Sequence, residues 1–437
     1  MRILQVVHGF PPRKVGGTEI YTSLLSTELS KRHEVYVLYP TYGKFRYSFN
    51  YFKRNGLNIY ELKIPFPERI MRLINLKSTY INTKVEGKFR ELINQIKPDC
   101  IHFQHLTDLS ASLIEIAKEK GIPTVLTLHD YWFICPATQL FKNDSTICNG
   151  PDEQAENCFR CWNNEEAELL ADILGKRLTP KMFSEKVFES ILMKMNSKKK
   201  FREREKYMKL MLLKIDRIVA PSLFLRNMFI RHGISGTKIL YSSNGYDLSV
   251  FRGFKKIKHE DLVFGFVGIV AKIKGVNVLV EAFKEINPRN VELKVYGRYD
   301  RRSKFFKELQ TKIRNNSIKF MGRFNDLKDP YSEMDILVVP SIWYENCPLV
   351  VKEAFATKTP LIASNIGSIP EFVIDRVNGL LFKIGDSEDL LEKIKMIIED
   401  STLISKFQKN ITPPRSIEDQ SRELEELYFF KLNRKRG

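Results

Sequence analysis

A chain of 437 residues, 43% hydrophobic and 28% charged, exceeds the usual size of one core and reads as a globular protein of two domains. No stretch offers the ~18 consecutive apolar residues of a membrane span, and the apolar run Ile3–Val7 is too short for a secretory signal. The expectation is therefore a cytoplasmic protein whose membrane contact is confined to its surface. The net charge of +19 suits nucleic acid, an anionic lipid face or a phosphate-bearing substrate, and charge alone does not choose among them.

In chain order, short β-rich apolar runs alternate with amphipathic stretches, the pattern of parallel sheets flanked by helices. Strands are expected at Ile3–Val7, Glu34–Leu38, Cys100–Phe103 and Thr124–Leu128, with helices at Glu19–Lys31 and Ser110–Lys120, the latter closed by Gly121 and Pro123. Next comes an insert rich in Asn, Asp and Gly, residues 135–161, which carries Cys135, Cys148, Cys158 and Cys161. The cytosol keeps thiols reduced, so disulfides are not expected. The Cys-x2-Cys end and the crowding of four thiols instead suggest a structural zinc, with an iron–sulfur cluster as the alternative. Cys100 and Cys347 read as packed residues.

Residues 163–217 form a basic arm. From Lys181 to Arg217 there are twelve Lys/Arg against five Asp/Glu, interleaved with Met, Phe, Ile and Leu. Long amphipathic helices are expected there, either as plain core packing with a solvated face or as a surface for an anionic membrane. Strands at Arg217–Ala220 and Lys238–Ser242 close the first half. Asn244-Gly245-Tyr246-Asp247 and Phe251–Lys258 then read as a turn-rich connector, and the alternation starts afresh. Strands are expected at Leu262–Val267, Val291–Val295, Ile318–Met321, Asp335–Val339 and Pro360–Ala363, with helices at Val276–Ile286, Leu349–Ala356 and Ser387–Glu399. The expected domains are 1–247, 248–416 and a helical tail 417–437 that crosses back to the first.

The segment after Asp335–Val339 carries the most chemistry. Pro348 is placed at the first position of a helix, leaving the N–H groups of Leu349 and Val350 free to meet a diphosphate with the helix dipole behind them. Glu353, a little over a turn further in, can accept ribose hydroxyls, and Glu345 stands in the loop before the helix. Taken alone, two glutamates eight apart would more often be solvated first-turn charges.

Their surroundings alter that weighing. Glu345 and Glu353 match the Glu-x7-Glu motif of the retaining glycosyltransferase family 4, whose members have the GT-B fold. Phe264-Gly265-Phe266-Val267-Gly268, followed by Lys274-Gly275-Val276, resembles that family's glycine-rich turn. Asn244-Gly245-Tyr246-Asp247 is similar to its interdomain Asn-Gly-x-Asp, and Ser364–Glu371 with Asn378-Gly379 to its segment after the Glu pair. At the front, Gly16-Gly17-Thr18-Glu19 resembles its Gly-Gly loop and Thr127-Leu128-His129-Asp130 its first-domain histidine. The likeness runs in order from about residue 1 to about residue 395.

The resemblance implies an α/β, two-domain GT-B architecture, with two Rossmann-like doubly wound domains facing across a cleft. The first would bind the acceptor and the second the nucleotide sugar. It implies that Lys274 and Gly268 meet the diphosphate, Glu353 the ribose, Glu345 the donor sugar, Gly16 and Gly17 the donor phosphate or acceptor, and His129 the transferred sugar. Glu345, His129 and Lys274 would be the catalytic groups. The implied activity is retaining transfer of a hexose-type sugar from a nucleoside diphosphate to a glycan or lipid-linked acceptor in cell-surface polysaccharide synthesis. No Asp-x-Asp stands where it would hold a metal on a diphosphate, so no catalytic metal is expected. One departure is Ile269, where the family commonly has an Arg beside its Lys. That departure keeps a non-catalytic nucleotide-sugar-binding protein as the alternative reading. A basic nucleic-acid-binding protein rests on charge alone and lacks any recognisable signature.

Overall fold

The computed structural model describes residues 1–43, 46–175, 185–286, 290–313 and 317–429. They form two compact units, one made of Met1–Gly245 with the C-terminal helix Ile417–Phe429 and the other of Tyr246–Ser416.

The first unit is built on an eight-stranded sheet: β1 (Arg2–Val6), β2 (Glu34–Gly43), β3 (Ser48–Arg54), β4 (Leu57–Pro65), β5 (Cys100–Phe103), β6 (Thr124–Thr127), β7 (Arg217–Ala220) and β8 (Ile239–Tyr241). Their spatial order is β3-β4-β2-β1-β5-β6-β7-β8, with every pair parallel except β3–β4. Strands β1, β5 and β6 are buried almost throughout, as central strands covered on both faces must be. The β3–β4 pair was absent from the expected elements. It is a hairpin closed by Asn55-Gly56, both at positive φ, the turn that matches the twist of two antiparallel strands. Ser48–Arg54 mixes polar and aromatic residues at a sheet edge, so its hydrophobic pattern is faint.

The sequence-end helix Ile417–Phe429 belongs to this unit. Ile417, Leu424 and Tyr428 are buried in one cluster with Ile3, Val7, Leu25 and Leu29. The Tyr428 hydroxyl meets His102 Nδ1 at 2.8 Å, and Arg32 bonds both Ser421 and Glu425. Residues 430–437 of the expected tail lie outside the described residues.

The second unit has a six-stranded, wholly parallel sheet: β9 (Leu262–Val267), β10 (Val291–Tyr296), β11 (Ile318–Gly322), β12 (Ile336–Val339), β13 (Leu361–Ser364) and β14 (Gly379–Phe382), in the order β11-β10-β9-β12-β13-β14. Only β14, four residues opened by a glycine, was missing from the expected strands. The connector read at Phe251–Lys258 is not a free linker. Leu248–Phe251 is a turn of 3-10 helix, and the partly buried Lys256 ammonium bonds the Tyr331 carbonyl (2.9 Å) and the Thr359 hydroxyl (2.8 Å).

The expected basic arm is helical where described, at Glu156–Gly175, Glu185–Met195 and Lys198–Lys214, while 176–184 lie outside the described residues. Phe201, Met208, Met211 and Leu212 of the last helix are buried in the first unit, so most of its apolar stripe is core. No described helix is long and apolar enough to cross a membrane.

Candidate active site

Each sheet has one point where the chain reverses its direction of growth, and an open α/β sheet forms its crevice there, beyond the strands' carboxyl ends. In the second unit that point lies between β9 and β12. Beyond β9, Gly268 (φ 154) leads through Lys272–Lys274, a 3-10 turn, to Gly275 and the helix Val276–Phe283. Gly275 sits at φ 69, and a Cβ there would lie 1.7 Å from the Pro340 carbonyl oxygen, so only glycine lets the β9 turn close onto the β12 loop.

That closure delivers Lys274 to Glu345. The Lys274 ammonium stands 2.7 Å from Glu345 Oε1, which also accepts from the Ser341 hydroxyl (2.7 Å) and the Trp343 indole N–H (2.9 Å). The Trp343 ring lies 5.1 Å from the same ammonium. Burial pushes the Glu345 pKa up, but the Lys274 charge and these three bonds outweigh it and hold the acid below its ordinary value. Glu345 is thus a buried, ionised carboxylate. Gly367 packs against its backbone, and the Ser368 N–H bonds the Glu345 carbonyl at 2.8 Å.

The following helix runs from Leu349 to Ala356. Pro348 is its N-cap (φ −66°, ψ 123°), not its first helical residue as expected, because its ψ is still extended. The consequence for Leu349 and Val350 is unchanged: as the first helical residues, their N–H groups have no intrahelical acceptor. Glu353 is buried one turn in. Its two oxygens accept from the Tyr246 hydroxyl (2.9 Å) and the Tyr331 hydroxyl (2.6 Å), and burial raises its pKa against both bonds. Neither tyrosine was singled out from the sequence. Each carboxylate oxygen keeps a second lone pair for a further donor. Ile269, in place of the family's Arg, is half exposed.

In the first unit the reversal lies between β1 and β5. Gly16 caps the helix Gly17–Ser30 in extended conformation, and a Cβ on Gly17 would meet nothing within 4 Å. His129 follows β6, with its Nε2 2.8 Å from Gln104 Oε1 and its ring 5.2 Å from that of Tyr21. Burial, helped by His105, lowers its pKa to about 3, so the imidazole is neutral. The structure adds groups that sequence reasoning missed. His8, just beyond β1, has its ring 4.3 Å from that of His105, beyond β5, and His105 bonds Asp130 at 2.8 Å. His8 Nε2 stands 3.1 Å from Glu19. The signal that could have found His8 and His105 is their place, each two residues past a central strand.

Among the described residues no group of three or more His, Cys, Asp or Glu is arranged, as it stands, to hold a metal ion. Cys135, Cys148, Cys158 and Cys161 nevertheless line one small pocket in the first unit. The insert is less loop-like than expected, since Cys158 and Cys161 ride on the helix Glu156–Gly175.

Comparison with known proteins fits both units. The family described as Glycosyltransferase Family 4 matches residues 15–151, and that described as Glycosyl transferases group 1 matches residues 261–400. A Klebsiella pneumoniae protein, "Uncharacterized 42.6 kDa protein in cps region", is 21% identical over 89% of this chain and 91% of its own length. The Staphylococcus aureus "Capsular polysaccharide biosynthesis glycosyltransferase CapM" is 27% identical over 37% of this chain and 45% of its own length. In several further matches, too, the chain spans only about half of the relative. Among solved structures, Anabaena HepE in complex with UDP and glucose superposes with a TM-score of 0.61 at 16% identity, covering 97% of this chain and 98% of that one. The two family matches take in more than half of the chain and the fold agrees from end to end: this is a GT-B glycosyltransferase of the family 4, group 1 kind.

Proposed function

We propose that this glycosyltransferase moves a hexose-type sugar, with retention, from a nucleoside diphosphate onto a glycan or lipid-linked acceptor in cell-surface polysaccharide synthesis. The observation that carries the reading is the Lys274–Glu345 pair at the β9/β12 switch point, beside the open helix start at Leu349 and Val350. Breaking a sugar–diphosphate bond builds negative charge on the leaving oxygen and positive charge on the anomeric carbon. An ammonium and two unpaired amides answer the first charge, and a buried carboxylate answers the second. Glu353, fixed by Tyr246 and Tyr331, uses its remaining lone pairs for the ribose.

In this reading the C1–O bond to the diphosphate breaks, the acceptor oxygen bonds C1 from the same face, and the acceptor proton passes to the leaving phosphate. No catalytic metal takes part. Neutral His129 serves as a hydrogen-bonding group toward the transferred sugar. HepE was solved with UDP and glucose, and CapM carries a capsular polysaccharide name, which together favour a UDP-hexose donor and a polysaccharide product. The protein works in the cytoplasm at the inner face of the membrane, drawn there by its net charge of +19 and the basic helix Lys198–Lys214.

Thermal-shift screening of the purified chain against UDP-, GDP- and ADP-sugars, with EDTA present, tests the donor assignment. Stabilisation by one nucleotide class, lost in Lys274→Ala, is the expected result, and no shift with any of them would reject it. NMR of the product anomer decides retention.

A further inference from the structure

We infer that Cys135, Cys148, Cys158 and Cys161 bind one structural zinc ion as a tetrathiolate set, pinning the insert of the first unit between β6 and the helix Glu156–Gly175. The four residues come from three separate stretches of chain, and their side chains line a single pocket with Pro136, Phe141 and Trp162. None is in a disulfide. Four thiols gathered from a 27-residue stretch into one small cavity match the ligand number and type of a closed zinc site.

Two further features of the pocket suit anionic sulfur. One backbone N–H group is aimed at a sulfur, that of Gly150 at Cys148, 3.4 Å from Sγ. Such a bond favours a thiolate over a thiol. A cation is also buried alongside. Arg204 is only 1% exposed, donates to the Trp132 carbonyl at 2.5 Å, and has an Nε with no hydrogen-bond partner among the described residues. Its guanidinium faces the rings of Tyr80 (5.9 Å) and Trp132 (5.8 Å), with the sulfurs of Cys135 and Cys158 and the Asp130 carboxylate also in its surroundings. A zinc tetrathiolate carries a net charge of −2 and compensates the guanidinium.

As they stand the sulfurs do not close on a common point. Cys148 turns toward Gly150 and Cys161 toward Asn143 Oδ1 at 3.8 Å, contacts a bound ion would replace. Binding converts four thiols to thiolates, so protons leave as the metal enters. Besides short turn bonds such as Lys142–Thr146 and Cys148–Leu140, the insert is tied by a bridge between Phe141 and Ile147, the Asn157–Gly150 bond and the His232–Asn149 bond. The ion adds to these the fixing that a sheet would give elsewhere.

The test is metal analysis of the full chain, purified under reducing conditions with any affinity tag removed. The expected result is about one zinc per chain, released in step with thiol titration by a mercurial, and retained by Cys347→Ala but lost by Cys161→Ser. If a cysteine variant fails to fold, cobalt exchange into the wild-type chain gives an independent answer. An intense thiolate-to-cobalt charge-transfer band with tetrahedral visible bands supports the site. A chain that is metal-free as purified and takes up neither zinc nor cobalt would overturn the proposal, as would iron with labile sulfide in place of zinc.

Discussion

Lys274 touches Glu345 directly, so its removal has two separable effects. The charge facing the leaving diphosphate is lost, and the buried carboxylate loses the partner that holds its pKa down. Lys274→Ala should lower kcat/KM by roughly 10²–10³-fold, the scale seen when one preorganised transition-state donor is deleted. In the same variant the acidic limb of the pH–rate profile should move to higher pH, because only the Ser341 and Trp343 bonds then oppose the effect of burial on Glu345. An unmoved limb would mean that Glu345 is not read out by the rate. Gly275 makes a different kind of prediction. Its positive φ and the 1.7 Å approach to Pro340 leave no room for a methyl group, so Gly275→Ala should cost more than about 2 kcal/mol. The matching outcome is a lowered melting temperature together with weaker nucleotide binding, since the same turn presents Lys274.

At the scale of elements, the helix Ile417–Phe429 is held to the first sheet by buried Leu424 and Tyr428. Tyr428→Ala should lose about 3–5 kcal/mol and Tyr428→Phe about 1 kcal/mol, the latter isolating the bond to His102. Melting temperatures of the two variants check the ratio. Three histidines, His102 on β5 and His8 and His129 just beyond β1 and β6, are kept neutral by burial, with His102 and His129 lowered to about 3 and His8 also well below its ordinary value. Between those values and ~6.5 the unfolded chain binds more protons than the folded one. Their stability contribution is therefore complete above pH ~6.5 and declines as the pH falls toward 3, by about 1.4 kcal/mol per pH unit for each fully buried histidine. Urea midpoints should hold level from pH 7.5 to about 6.5 and fall from there to pH 5, and His102→Gln should flatten that slope.

Most strands were legible because burial on both faces produces short continuous apolar runs, as in β9 and β12. The β3–β4 hairpin was not, because an edge strand carries polar residues and only Asn55-Gly56 announces it. The site divides in the same way. Lys274, Glu345 and Glu353 sit in local patterns of turn and helix start. The tyrosines that fix Glu353 come from 107 and 22 residues away, and no local spacing reveals such a meeting. His105–Asp130 was hidden for the same reason, since parallel strands place distant residues side by side.

For the whole molecule, the net charge of +19 makes a prediction about surfaces. Exposed Leu210 and Leu213 lie on the lysine-rich helix Lys198–Lys214, an apolar and cationic combination suited to an anionic lipid face. Vesicles containing acidic lipid should carry the protein upward in flotation, and raising salt from 50 to 300 mM should release it, as screening shortens the reach of surface charge. Neutral vesicles should leave it behind, and equal flotation on both kinds would exclude an electrostatic contact.

The route of the chain has a consequence for biosynthesis. The first unit is interrupted after Gly245 and regains a wall of its core only at Ile417, once the whole of Tyr246–Ser416 has been made. On the ribosome the later, uninterrupted unit can therefore mature while the earlier one waits with Ile3, Val7 and Leu29 uncovered. A nascent chain stopped anywhere before Ile417 should be a chaperone client, and supplying the helix as a separate peptide should rescue it.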